Sequence, residues 1–201
     1  MSKNKKEKLP EYKIITLGDS TVGKSSLILK FIDNTFSYDY LATMGIDYKH
    51  KIIELKNGKQ VNLRIFDTAG QERFKSISLN FIKNANGILL LYDITKKQTF
   101  NSVNKWIQSI KEDANEKVSI VLVGNKCDLE EKREVETKQG EDKAKLYEIP
   151  FLETSCKDGT NINEVFEILT EEILKRKGNH NTETGKQLTT ELSKQKSKNC
   201  C

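Results

Sequence analysis

Apolar residues along this chain fall into two alternating patterns. Short runs such as YKIITLG (12–18), GILLLYD (87–93), SIVLVG (119–124) and PFLETS (150–155) are too short for helices and read as buried strands. Between them lie stretches with helical spacing. GKSSLILKFID (23–33) places Leu27, Ile28, Phe31 and Ile32 on one face, and Phe100, Val103, Ile107 and Ile110 mark a second helix. Ile162, Val165, Phe166, Leu169 and Ile173 mark a last one. KHKIIEL and VNLRIFD flank KNGK, where Asn57-Gly58 predicts a two-residue hairpin turn. Strands alternating with helices predict an α/β fold: a three-layer, doubly wound, six-stranded, mostly parallel sheet, with the hairpin adding one antiparallel edge strand. Ligands of such sheets sit beyond the carboxyl ends of the strands, so those loops are where chemistry is to be sought.

Composition refines this picture at the ends. Apolar residues make up 36% of the 201 residues, somewhat low for a compact domain. The deficit lies in residues 1–8 and 177–201, which hold almost no large apolar side chains. Four lysines against Glu7 give the first segment +3, and five lysines against two glutamates give the last +3; with +5 overall, residues 9–176 come to −1. A basic extension (1–9), a globular domain (10–176) and a disordered tail (177–201) are expected. The near-neutral body argues against nucleic acid as a partner. Basic tails suit an anionic surface. The longest strongly apolar run, Ile88–Tyr92, is far short of a membrane span, and no signal peptide is visible, so the chain is expected to stay on the cytosolic side of membranes. Thiols there are reduced. Cys127 and Cys156 lack CxxC or histidine neighbours, and His50 and His180 are isolated, so no disulfide framework or zinc site is expected.

The loop after the first strand reads GDSTVGKSS and fits G-x-x-x-x-G-K-[ST] at Gly18, Gly23, Lys24 and Ser25. Its position between strand and helix is what phosphate binding requires. Backbone N–H groups wrap a β-phosphate at the helix N-terminus, Lys24 reaches the β/γ-oxygens, and the Ser25 hydroxyl suits Mg²⁺. An ordinary glycine-rich turn is the plain alternative. Downstream, DTAG (67–70) follows the third strand. Asp67 there can hold Mg²⁺ directly or through water, the Gly70 N–H can meet a γ-phosphate, and Gln71 can orient an attacking water. Alone, DTAGQE could equally cap a helix.

NKCD (125–128) follows the fifth strand. Guanine presents N1–H and a 2-amino group side by side, and a carboxylate accepts both, so Asp128 is the natural reader. Adenine would leave that carboxylate unpaired. Asn125 would tie loops together near the purine edge, and the stem of Lys126 can lie along the base. TSCK (154–157) brings the Ser155–Cys156–Lys157 backbone towards guanine O6.

Together these stretches resemble the Ras superfamily of small GTPases, and more closely its Rab branch, over about residues 10–176. MGIDY (44–48), NLRIF (62–66), RFKSIS (73–78), LLLYDIT (89–95), WIQSIKEDA and VGNKCDL are similar to Rab segments, those of the secretory pathway especially. The resemblance implies a GTP hydrolase, slow alone and accelerated by an activating protein, with Mg²⁺ as cofactor and GTP and GDP as substrate and product. It implies nucleotide contacts from Ser20, Thr21, Val22 and Ser26 in the first loop and from Tyr40. Phe36 would stack edge-on against guanine, and Thr43 would bind Mg²⁺ and the γ-phosphate. Residues 36–44 become switch I and 67–83 switch II. Tyr48, Phe66 and Phe81 match an aromatic triad that presents the switch surface, although aromatics in strands also simply pack a core. Lys24 and Gln71 would carry the catalysis. Several positions depart from the pattern. Thr21 stands where many relatives have glycine, which bears on loop strain and hydrolysis. Tyr48 and Phe66 replace phenylalanine and tryptophan, and FIKN (81–84) replaces a tyrosine-rich segment, which bears on partner choice. Cys156 replaces a common alanine, with its contact made through the backbone.

Cys200 and Cys201 follow a tail with nothing apolar to bury them. They do not fit C-a-a-X. In Rab-like proteins such a pair carries two geranylgeranyl groups, and two chains anchor stably where one binds marginally. The resemblance further implies an exchange factor, an activating protein supplying an arginine in trans, an escort protein, a dissociation inhibitor, and effectors at residues 36–48 and 67–83. The protein would be a monomer cycling between cytosol and the cytoplasmic face of endomembranes, switching vesicle traffic. Two rivals share some features. A nucleotide-locked scaffold of the same fold would hydrolyse little, which Thr21 allows and Gln71 opposes. A P-loop kinase or ATPase would need a second substrate site and no NKCD.

Overall fold

The computed structural model describes residues 9–37, 46–68 and 82–177. Six strands form one sheet: β1 (Glu11–Leu17), β2 (Ile46–Glu54), β3 (Gln60–Thr68), β4 (Gly87–Asp93), β5 (Ser119–Asn125) and β6 (Phe151–Thr154). Their spatial order is β2-β3-β1-β4-β5-β6. β1 pairs in parallel with both β3 and β4, and β5 and β6 continue in parallel, while β2 runs antiparallel to β3 at the edge. The chain leaves β1 for one side of the sheet and later returns to the other, so β1 is the switch point where such folds bind ligands.

Helices α1 (Lys24–Asp33), α2 (Lys97–Asp113), α3 (Thr137–Leu146) and α4 (162–177) cover the two faces. On one face Leu27, Ile28 and Phe31 of α1 meet Val165, Phe166 and Leu169 of α4 over Ile14, Leu63, Leu89 and Val121. Phe31 stacks on Phe166 with ring centroids 3.7 Å apart, worth about 0.5–1.5 kcal/mol beyond area burial. On the other face Phe100, Val103 and Ile107 of α2 cover Ile15, Leu90 and Leu122. Every residue of β4 is buried, as its unbroken apolar run requires.

One local expectation changes. The hairpin turns through five residues (55–59), not two: Gly58 N–H donates to the Leu55 carbonyl, and the Asn57 side chain accepts from Lys59 N–H. Only Gly58 (φ 77°) takes the left-handed conformation, whereas a type I′ turn needs two such residues. No hydrophobic pattern marks α3, which the structure adds to the helices read from the sequence. TKQGEDKAKL has no apolar stripe, and it buries only Gly140 and Ala144. A capping box between Glu136 and Gln139 starts it. Its small residues let it settle close on the aromatic rings beneath: a Cβ at Gly140 would lie 2.4 Å from Phe151 and 2.6 Å from the Tyr92 hydroxyl. Among the described residues no helix is long and apolar enough to cross a membrane.

Candidate functional site

All five parallel strands end on the same edge, and the predicted residues gather there. The loop after β1 starts at Gly18 (φ 136°), where a Cβ would stand 2.2 Å from the Leu91 carbonyl oxygen. It closes at Gly23 (φ 100°), where a Cβ would stand 2.2 Å from Nδ2 of Asn125. No residue but glycine fits either position without displacing the loop. The Gly23 carbonyl accepts the Leu27 N–H, so the loop runs straight into the first turn of α1. Val22 is fully buried and fixes the loop from below, and Ser20 is exposed.

Lys24 is the buried charge of this loop, at 5% exposure. Its Nζ donates to the carbonyls of Gly18 (2.9 Å) and Asp19 (2.8 Å). Burial lowers its pKa to about 8, while the carboxylates of Asp67 and Asp19 pull it back up. Asp67, near the end of β3, is thus one of two carboxylates whose charge acts on the ammonium. Ser25 and Ser26 follow in the first turn, partly buried. Thr21 has φ 65°, a left-handed conformation that costs a non-glycine residue about 1–2 kcal/mol. Its hydroxyl accepts from Lys96 Nζ at 3.2 Å. On the loop's outer side Trp106 Nε1 donates to Asp19 Oδ1 at 2.9 Å.

The loops after β5 and β6 form the second half. Asn125, 1% exposed, donates from Nδ2 to the Val22 carbonyl (2.8 Å) and accepts at Oδ1 from the Thr154 hydroxyl (3.0 Å). Cys156 Sγ lies 3.5 Å from the same oxygen. One amide therefore joins three loops. Ser155 Oγ donates to Asp128 Oδ1 at 2.7 Å and accepts the Asp158 N–H at 3.1 Å, fixing the carboxylate's direction. Lys126 takes φ 71°, and its ammonium lies 2.6 Å from the buried Asp93 carboxylate. Lys157 is exposed. Burial pushes the Cys156 thiol up to about 11 and the Cys127 thiol up as well, so both stay protonated at neutral pH.

The sequence reading had not singled out Asp93, Thr154, Trp106 or Lys96 as supports for these loops. A charged residue closing the apolar run of β4 was the one available signal, since charges are rarely buried without a partner. Phe36 is exposed, at 37%. Of the aromatic triad, Tyr48 and Phe66 stack at 5.4 Å on β2 and β3; Phe66 belongs to the core, and Tyr48 is half exposed. Tyr40, Thr43, Gly70, Gln71, Phe81, His180, Cys200 and Cys201 lie outside the described residues.

The donors at the loop mouth fit a hard cation. The Ser25 hydroxyl and the Asp67 carboxylate are oxygen ligands of the kind Mg²⁺ takes, and Lys24 senses the Asp67 charge directly. Among the described residues no three His, Cys, Asp or Glu side chains gather into a metal site. A Mg²⁺ held by these two oxygens would take further oxygen ligands, phosphate and water among them, as is its habit.

Strand order and loop placement together are those of a small G protein, a P-loop hydrolase. Comparison with known proteins agrees. A family model described as "Ras family" matches residues 13–175. The chain is 46% identical over 163 residues to Ras-related protein Rab-8B of Dictyostelium discoideum, covering 81% of this chain and 80% of that protein. It is 44% identical over 163 residues to Ras-related protein Rab-13 of Rattus norvegicus, with the same two shares of 81% and 80%. To GTP-binding protein YPT1 of Saccharomyces cerevisiae it is 44% identical over 162 residues, 81% of this chain and 78% of that protein. The chain therefore belongs to the Ras family and, within it, to the Rab small GTPases: it is a GTP hydrolase of the group that serves vesicle trafficking.

Proposed function

We propose that the chain is a membrane-anchored switch whose residues 10–176 bind GTP, Mg²⁺ and GDP in the cleft between the two loop sets. The observation that carries this is the Asn125 amide, which locks the phosphate loop to both base-side loops at 2.8 and 3.0 Å. Lys24 and the amides of residues 20–26 hold the β- and γ-phosphates. Asp128 accepts the guanine N1–H and 2-amino hydrogens. Asn125 and the Lys126 stem border the base, Phe36 covers its edge, Tyr40 closes on the nucleotide, and the backbone of 155–157 meets O6. Ser25, Thr43 and Asp67 hold the Mg²⁺, which when bound screens the developing phosphate charge. Gln71 orients the attacking water, and Lys24 with the loop amides stabilises charge at the β–γ bridge. Thr43 and Gly70 hold the γ-phosphate, so its loss releases residues 36–44 and 67–83.

In the same reading an activating protein supplies an arginine in trans, worth roughly 10³–10⁵ in rate. An exchange factor, an escort protein and a dissociation inhibitor complete the cycle, with effectors reading residues 36–48 and 67–83. One observation favours the slower alternative, a nucleotide-locked scaffold: the β-branched Thr21 is held at φ 65° in the phosphate loop. Single-turnover hydrolysis by the Mg²⁺-loaded protein, with and without a Rab-directed activating protein, separates the two. The expected result is a slow rate that the activator raises by orders of magnitude and that Gln71→Leu loses. GTP held without turnover in either condition would establish the scaffold.

Residues 177–201 serve as a tether, and geranylgeranyl groups on Cys200 and Cys201 bind it to the cytoplasmic face of endomembranes. Removing both cysteines is expected to leave GDP affinity unchanged and to move the protein from the membrane to the soluble fraction of a cell lysate. Persistence on membranes would mean a different anchor.

A further inference from the structure

Beyond the nucleotide cleft, one partly buried ion cluster has a position that its stability role does not explain. Arg133 uses all five of its N–H donors. Its Nη1 and Nη2 grip Glu153 as a fork, at 2.7 and 2.9 Å. Its Nε lies 2.9 Å from both oxygens of Glu130, and Nη2 reaches Glu130 Oε2 at 2.8 Å. The remaining Nη1 hydrogen goes to the Val135 carbonyl at 2.9 Å. The guanidinium and Glu153 are nearly buried, at 9% and 14% side-chain exposure, whereas Glu130 is 68% exposed. The arginine rests on a fixed base: the N–H groups of Glu134 and Val135 both donate to the Ile94 carbonyl, just past β4.

The two carboxylates flank the base-side loops, Glu130 in the short turn that follows the first and Glu153 on β6 just before the second. Glu130 lies two residues beyond Asp128. Glu153 directly precedes Thr154 and Ser155, whose hydroxyls hold Asn125 and Asp128. The same segments are also joined by Cys127 N–H donating to the Thr154 carbonyl at 3.1 Å, by Cys156 Sγ 3.5 Å from Asn125 Oδ1 and by the pairing of Asn125 with Thr154, but none of these reaches beyond Asp128. We propose that Arg133 is a positioning residue for guanine specificity: by clamping Glu130 and Glu153 together it holds the Asp128 carboxylate at the angle that meets both guanine donors. This rests on the reading that Asp128 contacts the base. A forked, planar cation is required, because a lysine at this position keeps the charge but cannot grip two carboxylates bidentately.

The test compares GDP with IDP on the full chain. Inosine lacks only the 2-amino group, so the ratio of the two dissociation constants reports the alignment of Asp128. In Arg133→Lys the ratio is expected to shrink by roughly tenfold, since small misplacements of a directing group cost one to two decades. Glu130→Ala, which leaves the buried Arg133–Glu153 pair in place, should shrink it less, with an unchanged melting temperature. If Arg133→Lys does not fold, Glu130→Ala decides alone. Equal weakening of GDP and IDP, with the ratio intact in both variants, would mark a merely structural role and overturn the proposal. Asp128→Asn serves as the control. If it destroys the ratio while the other variants keep it, the positioning role falls and the base reading stands. If it also leaves the ratio untouched, the base reading itself has failed.

Discussion

Changing Asp128 to Asn exchanges a preference for guanine for a preference for xanthine. An ionised carboxylate only accepts hydrogen bonds and has about four lone-pair sites. Ser155 takes one of them at 2.7 Å and sets the group's direction. The others remain for a pair of adjacent donors, which guanine offers at N1 and the 2-amino group. An asparagine amide turns one acceptor into a donor. The 2-amino group then faces another N–H, whereas the C2 carbonyl of xanthine accepts from it. Sites built on such pairing reject the wrong partner by about 10⁴-fold, because mispairing strands buried polar groups. Competition between GDP and XDP for the variant measures the exchange. An undiminished preference for GDP would remove Asp128 from the base site.

In the proposed reading, Lys24→Met strikes the opposite end of the nucleotide. Methionine keeps most of the side chain's length and apolar character, so the change removes the ammonium and little else. Affinity for GDP and GTP is expected to fall about 10²–10³-fold, in line with the 2–5 kcal/mol lost when one member of a buried, hydrogen-bonded charge pair is truncated. The loss should be the same for guanine and xanthine nucleotides, since Lys24 stands on the phosphate side, at the Gly18 and Asp19 carbonyls. Arginine should not rescue it. A group only 5% exposed leaves no space for the larger guanidinium. Dissociation constants by titration, beside a melting curve to confirm folding, settle the matter. A variant binding GDP as tightly as the parent would exclude Lys24 from the phosphate site.

How much of this was legible beforehand follows from what each element is made of. β4 and β5 declared themselves because buried parallel strands are unbroken apolar runs, and β4 came out residue for residue as Gly87–Asp93. α4 was equally plain, with Ile162, Val165, Phe166 and Leu169 all buried. α3 was not, because it is held by the smallness of Gly140 and Ala144 and by a capping box, and a hydrophobic pattern registers neither. The hairpin was anticipated but its turn was not, since Asn57-Gly58 suits a longer loop with one left-handed residue as well as a tight one. The loops after β1, β5 and β6 stood out as motifs because the chemistry proposed for them fixes residue types at short spacings. Their supports did not: Thr154 under Asn125, Asp93 beside Lys126 and Glu153 against Arg133 are contacts between segments far apart in sequence.

The buried amide of Asn125 has a consequence for how a nucleotide is held. It is hydrogen-bonded to the phosphate cradle through Val22 and to the base side through Thr154. The two halves of the cleft are therefore coupled through one buried amide. Filling either half pre-pays part of the other's ordering entropy, which makes phosphate and base cooperative fragments of a single ligand. By reciprocity the same free energy works backwards. On the proposed nucleotide-binding reading, a pull on the phosphate loop would also loosen the grip on the base, and one point of leverage would release the whole nucleotide.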